Sequence, residues 1–155
     1  MHILFVCTGN TCRSPMAEAF LRESLTALGA DGVTVGSGGT GAWDGAPVSE
    51  GAYLVALENG LDLSAHRATL LTRDLVEAAD LILTMSRHHR ARVDELGGAG
   101  KTHLLGEYAG KGGSAEVSDP FGGALENYRD TFVELKDLMG PVVERLHKEW
   151  LGGRR

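Results

Sequence analysis

The apolar run Ile3-Leu4-Phe5-Val6 leads straight into Cys7-Thr8-Gly9-Asn10-Thr11-Cys12-Arg13-Ser14-Pro15. An apolar run without alternation suits a strand buried on both faces, as in a parallel sheet. Pro15 stands where a helix begins, because its missing N–H costs little in the first turn. Ala17, Phe20, Leu21, Leu25 and Leu28 then recur at helical spacing, and Gly29 ends that helix. The residues between strand and helix therefore form a tight loop at the carboxyl end of a strand. Open α/β sheets bind ligands at that edge.

The same alternation continues along the chain. Val33-Thr34-Val35 reads as a second strand, and Gly36 to Pro47 as a Gly-rich loop containing Trp43. A helix is expected from Ser49 through Leu57, ended by Asn59-Gly60. Thr72 caps a short helix running through Ala79. Leu81-Ile82-Leu83-Thr84-Met85 is the third strand, and Ser86 caps a helix rich in Arg and His. Thr102-His103-Leu104-Leu105 is a weak fourth strand. A polar, Gly-rich stretch follows from Gly106 to Gly123 and holds Asp119-Pro120-Phe121. The last helix begins near Leu125, with a kink expected at Gly140-Pro141. Strands alternating with helices imply an α/β fold. The expected form is a three-layer sandwich around a central four-stranded parallel sheet, with all 155 residues in one domain.

The loop carries the chemistry. Amides of Thr8, Gly9, Asn10, Thr11 and Cys12, with the helix N-terminus, suit a nest around a tetrahedral anion. Gly9 relieves the curled backbone. Arg13 returns over the same space, and its planar fork suits two phosphate oxygens. The same groups favour negative charge on the Cys7 sulfur, and the Ser14 hydroxyl is in reach to donate to it. Cys7 then lies below a bound phosphorus, set for in-line attack. The loop lacks the Gly-Lys-Ser/Thr ending of a nucleotide-binding loop, and two cysteines in one loop are too few for zinc. An acid protonating the leaving atom must come from the side opposite Cys7. Asp119, on a backbone stiffened by Pro120 in a distant loop, is the candidate, the alternative reading being an ordinary turn Asp.

Composition narrows the partners. A net charge of −6 argues against a protein built for nucleic acid but leaves room for a local anion site. No stretch approaches the length of a membrane span. The start MHILFVC lacks the basic segment of a signal peptide. Cys7 and Cys12 share one loop and read as free thiols of a reducing cytoplasm. No metal constellation and no cofactor are expected.

Cys7-Thr8-Gly9-Asn10-Thr11-Cys12-Arg13-Ser14 closely resembles the phosphate loop of the low-molecular-weight protein tyrosine phosphatases. The likeness continues through Ser37, Asp62-Leu63-Ser64-Ala65-His66-Arg67, Ala79-Asp80-Leu81-Ile82-Leu83-Thr84-Met85 and Asp119-Pro120. It spans nearly the whole chain in order. The resemblance implies a phosphocysteine intermediate on Cys7, transition-state stabilisation by Arg13, and Asp119 first as acid and then as base. It implies that Asn10, Ser14, Ser37 and His66 hold the loop in shape, and that substrates are phosphorylated proteins with inorganic phosphate as product. Thr11 stands where tyrosine-specific members usually carry a bulky aliphatic residue. That resembles the bacterial protein arginine phosphatase branch and makes phosphoarginine the expected substrate, with phosphotyrosine the alternative. Trp43 reads either as a core plug or as one wall of the cleft, with Phe121 as the other wall. Cys12 reads either as a packing residue or as a thiol that resolves oxidised Cys7. Arsenate reductase is disfavoured because no cysteine exists beyond Cys12 for a relay. A non-catalytic phosphate-binding module is disfavoured because Cys7, Arg13 and Asp119 are all present. Arg87-His88-His89-Arg90 is expected to be a solvated helix face.

Overall fold

A computed structural model describes residues 1–112 and 116–151. Residues 113–115 of the expected Gly-rich stretch, and 152–155 at the end of the expected domain, lie outside the described residues. The strands are β1 (His2–Cys7), β2 (Thr34–Gly39), β3 (Leu81–Thr84) and β4 (Thr102–Leu104). The helices are α1 (Arg13–Ala27), α2 (Glu50–Glu58), α3 (Arg73–Ala78), α4 (Arg87–Val93), α5 (Leu105–Tyr108) and α6 (Leu125–Leu146). All strand pairs are parallel, in the order β2-β1-β3-β4.

Side chains alternate across β1, so its unbroken apolar run feeds two cores at once. Ile3, Phe5 and Cys7 join Leu81 and Leu83 under α1, α2 and α6. Leu4, Val6 and Ile82 face the other way, onto Val76 of α3 and Val93 of α4. Helices cover both faces, as a sheet of buried parallel strands requires.

Two local expectations are corrected. The second strand does not stop at Val35 but runs through Gly39, pairing Cys7 with Gly39. Gly39 marks a close approach rather than a loop: a Cβ there would run into the Thr8 carbonyl oxygen. Leu105 leaves the fourth strand and opens α5, burying Leu105 and Tyr108. The last helix continues through Pro141, because Val142 and Leu146 extend the buried stripe of Phe132, Leu135 and Met139. That burial outweighs the one backbone hydrogen bond a proline forfeits.

Candidate active site

β1 ends at Cys7 and α1 begins at Arg13, so residues 8–12 form one tight loop over the sheet edge. α1 starts without a side-chain cap, which leaves its first-turn N–H groups facing the loop. Asn10 is the key to the curl. Its φ of 55° is the sole positive value outside glycine among the described residues, and Asn tolerates that region better than most side chains. Its side chain and carbonyl are then fully used. Asn10 Nδ2 donates to Ser14 Oγ (2.8 Å) and Ser37 Oγ (2.9 Å). Its Oδ1 accepts from the Thr69 amide (2.9 Å), and its backbone oxygen accepts from His66 Nε2 (2.7 Å).

This network orients the nucleophile. Ser14 Oγ accepts from Asn10, which frees its own proton for the Cys7 sulfur 2.9 Å away.

Arg13 is buried yet reaches two groups of the segment before α6. Its Nη1 donates to the Val117 carbonyl (3.1 Å), and its Nη2 lies 3.5 Å from Asp119 Oδ2. Val117 is in turn tied to β3 by its amide, which donates to the Met85 carbonyl (2.9 Å). Asp119 Oδ1 accepts from the Phe121 amide (3.0 Å), a local turn that fixes the carboxylate at the cleft. Cys7, Thr8, Gly9, Thr11, Cys12, Arg13, Asp119 and Phe121 line one cavity of ≈ 220 Å³. A sulfur nucleophile, a guanidinium and a carboxylate from distant parts of the chain thus share one small space. That suits attack on a tetrahedral anion with protonation of what leaves.

Other expected site residues stand elsewhere. Asn10 and Ser14 are fully buried beneath the loop, so their side chains support it rather than touch a substrate. Trp43 is 84% exposed and neither plugs the core nor lines the cavity. Its loop is pinned by backbone bonds from Gly41 to Thr8 and from Gly45 to Ala68, which leaves the indole in solvent. Phe121 does line the cavity, at its open edge. Cys12 is buried and bonded to Ser49 Oγ (3.1 Å), and burial pushes its thiol up from the ordinary value. Ser49 Oγ gives its proton to the Thr11 carbonyl (3.0 Å), so the Cys12 thiol is the donor in that pair.

His89 corrects the expectation of a solvated Arg/His face. It is fully buried, and its Nε2 meets Thr8 Oγ1 at 2.8 Å. The available signal was spacing: Ser86 at the helix cap and His89 three residues on occupy the positions of a capping box, which the structure contains. Among the described residues no cluster of His, Cys, Asp and Glu could hold a metal, and no helix is long and apolar enough to cross a membrane.

A family model described as low molecular weight phosphotyrosine protein phosphatase matches residues 2–151. The protein-arginine-phosphatase of Bacillus subtilis (strain 168) is 37% identical over 151 residues, covering 96% of this chain and 99% of its own. A low molecular weight protein-tyrosine-phosphatase, PtpB of Staphylococcus haemolyticus (strain JCSC1435), is 40% identical over 143 residues, covering 92% and 97%. The solved structure of the YwlE arginine phosphatase from Geobacillus stearothermophilus is similar at a TM-score of 0.90 and 35% identity, covering 99% of this chain and 97% of that one.

Proposed function

The chain belongs to the low-molecular-weight phosphotyrosine protein phosphatase family, a family of cysteine-dependent protein phosphatases, and on that premise we propose that it hydrolyses phosphoarginine on proteins. The observation that carries this reading is Thr11 in the same cavity as Asp119. A guanidinium brings several N–H donors. Against an aliphatic wall each would be buried unpaired, at roughly 1–3 kcal/mol. A hydroxyl and a carboxylate give those donors acceptors.

The reaction takes two displacements. The Cys7 sulfur attacks phosphorus, the S–P bond forms and the bond from phosphorus to the guanidino nitrogen breaks. Asp119 gives its proton to that nitrogen, and free arginine side chain departs. Water then attacks the phosphocysteine while Asp119 takes its proton. The S–P bond breaks, the electron pair returns to sulfur, and inorganic phosphate leaves. Arg13 and the loop amides hold the equatorial oxygens through both steps. The two thiols of Cys7 and Cys12, unpaired here, suit a reducing cytoplasm.

A phosphotyrosine reading shares this mechanism, and Phe121 at the cleft edge favours it, since a phenol ring packs well on an aromatic. Matched phosphoarginine and phosphotyrosine peptides decide between them. Wild type is expected to have the higher kcat/KM on phosphoarginine, and Thr11→Ile to shift the ratio towards phosphotyrosine. A wild type that prefers phosphotyrosine, with a ratio indifferent to residue 11, overturns the proposal.

A further inference from the structure

His89 belongs to α4, on the sheet face away from α1, yet it reaches the phosphate loop. Both ring nitrogens are engaged. The Ser86 backbone amide lies 3.1 Å from Nδ1. A backbone N–H can only donate, so Nδ1 accepts and the ring proton is on Nε2. Nε2 then donates to Thr8 Oγ1. Burial, with the nearby His88 and Arg13, pushes His89 down to about 3, so the ring is neutral at working pH.

The Thr8 backbone is held separately, since Gly41 donates its amide to the Thr8 carbonyl (2.9 Å). The bond from His89 selects the Thr8 rotamer that turns its hydroxyl towards the ring. Thr8 lines the catalytic cavity and also a second groove of ≈ 470 Å³ shared with Ser86, His88, Glu116 and Ser118. Arg13 and Asp119 line both spaces too, so Thr8 is one of three side chains that stand between them.

We propose that His89 is a positioning residue which, as the Nε2-protonated neutral ring, locks Thr8 as one wall of the leaving-group side of the cleft. The phosphoryl group is held by loop amides and Arg13 and does not need this wall. The peptide side of the substrate does. The inference rests on the cleft being the phosphatase site assigned above.

The test compares Thr8→Val, His89→Leu, His89→Gln and the Thr8→Val/His89→Leu double variant. Thr8→Val and His89→Leu should each lower kcat/KM on a phosphoarginine peptide about tenfold, the size of one lost hydrogen bond, mostly through KM. The double variant should lose no more than either single one. His89→Gln, which keeps a donor near Thr8, should recover part of the loss. Inhibition by inorganic phosphate should stay within about twofold of wild type in each, since the loop amides, that of residue 8 included, and Arg13 are kept in every variant. Additive losses, or a matching loss of phosphate affinity, would overturn the proposal. If His89→Leu does not fold, imidazole nitrogen NMR of wild type and Thr8→Val decides. Wild type must show a protonated Nε2 and bare Nδ1, with Nε2 shifting in Thr8→Val; the opposite tautomer, or no shift, contradicts it. A wild type that hydrolyses neither phosphopeptide nor p-nitrophenyl phosphate would instead sink the assignment of the site itself.

Discussion

Buried neutral His89 links the site to the acid stability of the protein. An unfolded histidine titrates near 6.5, whereas here burial and its neighbours hold the ring at about 3. Between those values the unfolded chain binds a proton that the folded chain refuses. Stability therefore rises with pH across that window, is fully present above about 6.5, and is lost as pH falls towards 3. At pH 5 the loss from this residue is about 2 kcal/mol. His103, also lowered by burial, contributes with the same sign. Urea unfolding at pH 7 and pH 5 measures the effect. The midpoint of wild type should fall more between those conditions than that of His89→Gln. Equal falls would mean that His89 is not the residue sensed by acid.

At the scale of elements, the strand-loop-helix unit was readable because its signals are local: an apolar run, curling residues, then helical periodicity. Cys7 and Arg13 were named from that same local pattern, whereas Asp119 was named through the family resemblance, and the three line one cavity. The end of β2 could not be read. Glycine in sequence says only that no side chain is present, and both a loop and a close approach use it. The structure decides for close approach at Gly39, where a Cβ would also lie 2.9 Å from the Asn10 amide nitrogen. Gly39→Ala should therefore push the phosphate loop out of shape, costing on the order of 1–3 kcal/mol of stability and weakening phosphate binding. Gly36→Ala is the control, since its nearest atom is the movable His2 ring at 3.2 Å. Thermal unfolding and phosphate titration of both variants check this. Unchanged phosphate affinity in Gly39→Ala would show that β2 does not shape the loop. His89 and Trp43 were illegible for a different reason. Whether a helix face or a loop tip meets solvent depends on what packs against it, and that is set by distant segments.

The whole molecule carries a charge of −6 and still builds an anion site. It does so by concentrating backbone dipoles, a helix terminus and Arg13 at one edge of the sheet, where local field outweighs net charge. The parallel order β2-β1-β3-β4 sets β1 inside the sheet. The loop after β1 is thus flanked by Gly39 from β2 and by His89 beyond β3, while the segment before α6 brings Val117 and Asp119. We propose that this assembly moves a phosphoryl group from arginine to Cys7. Rapid acid-free quenching of enzyme mixed with a phosphoarginine protein, followed by peptide mass spectrometry, tests it most directly. A single added phosphoryl group should be found on the peptide containing Cys7 and assigned to its sulfur. It should decay as inorganic phosphate appears, and Cys7→Ser should bind phosphate without turning substrate over. Release of inorganic phosphate at the full rate with no phosphocysteine, or with Cys7→Ser as active as wild type, would contradict the account.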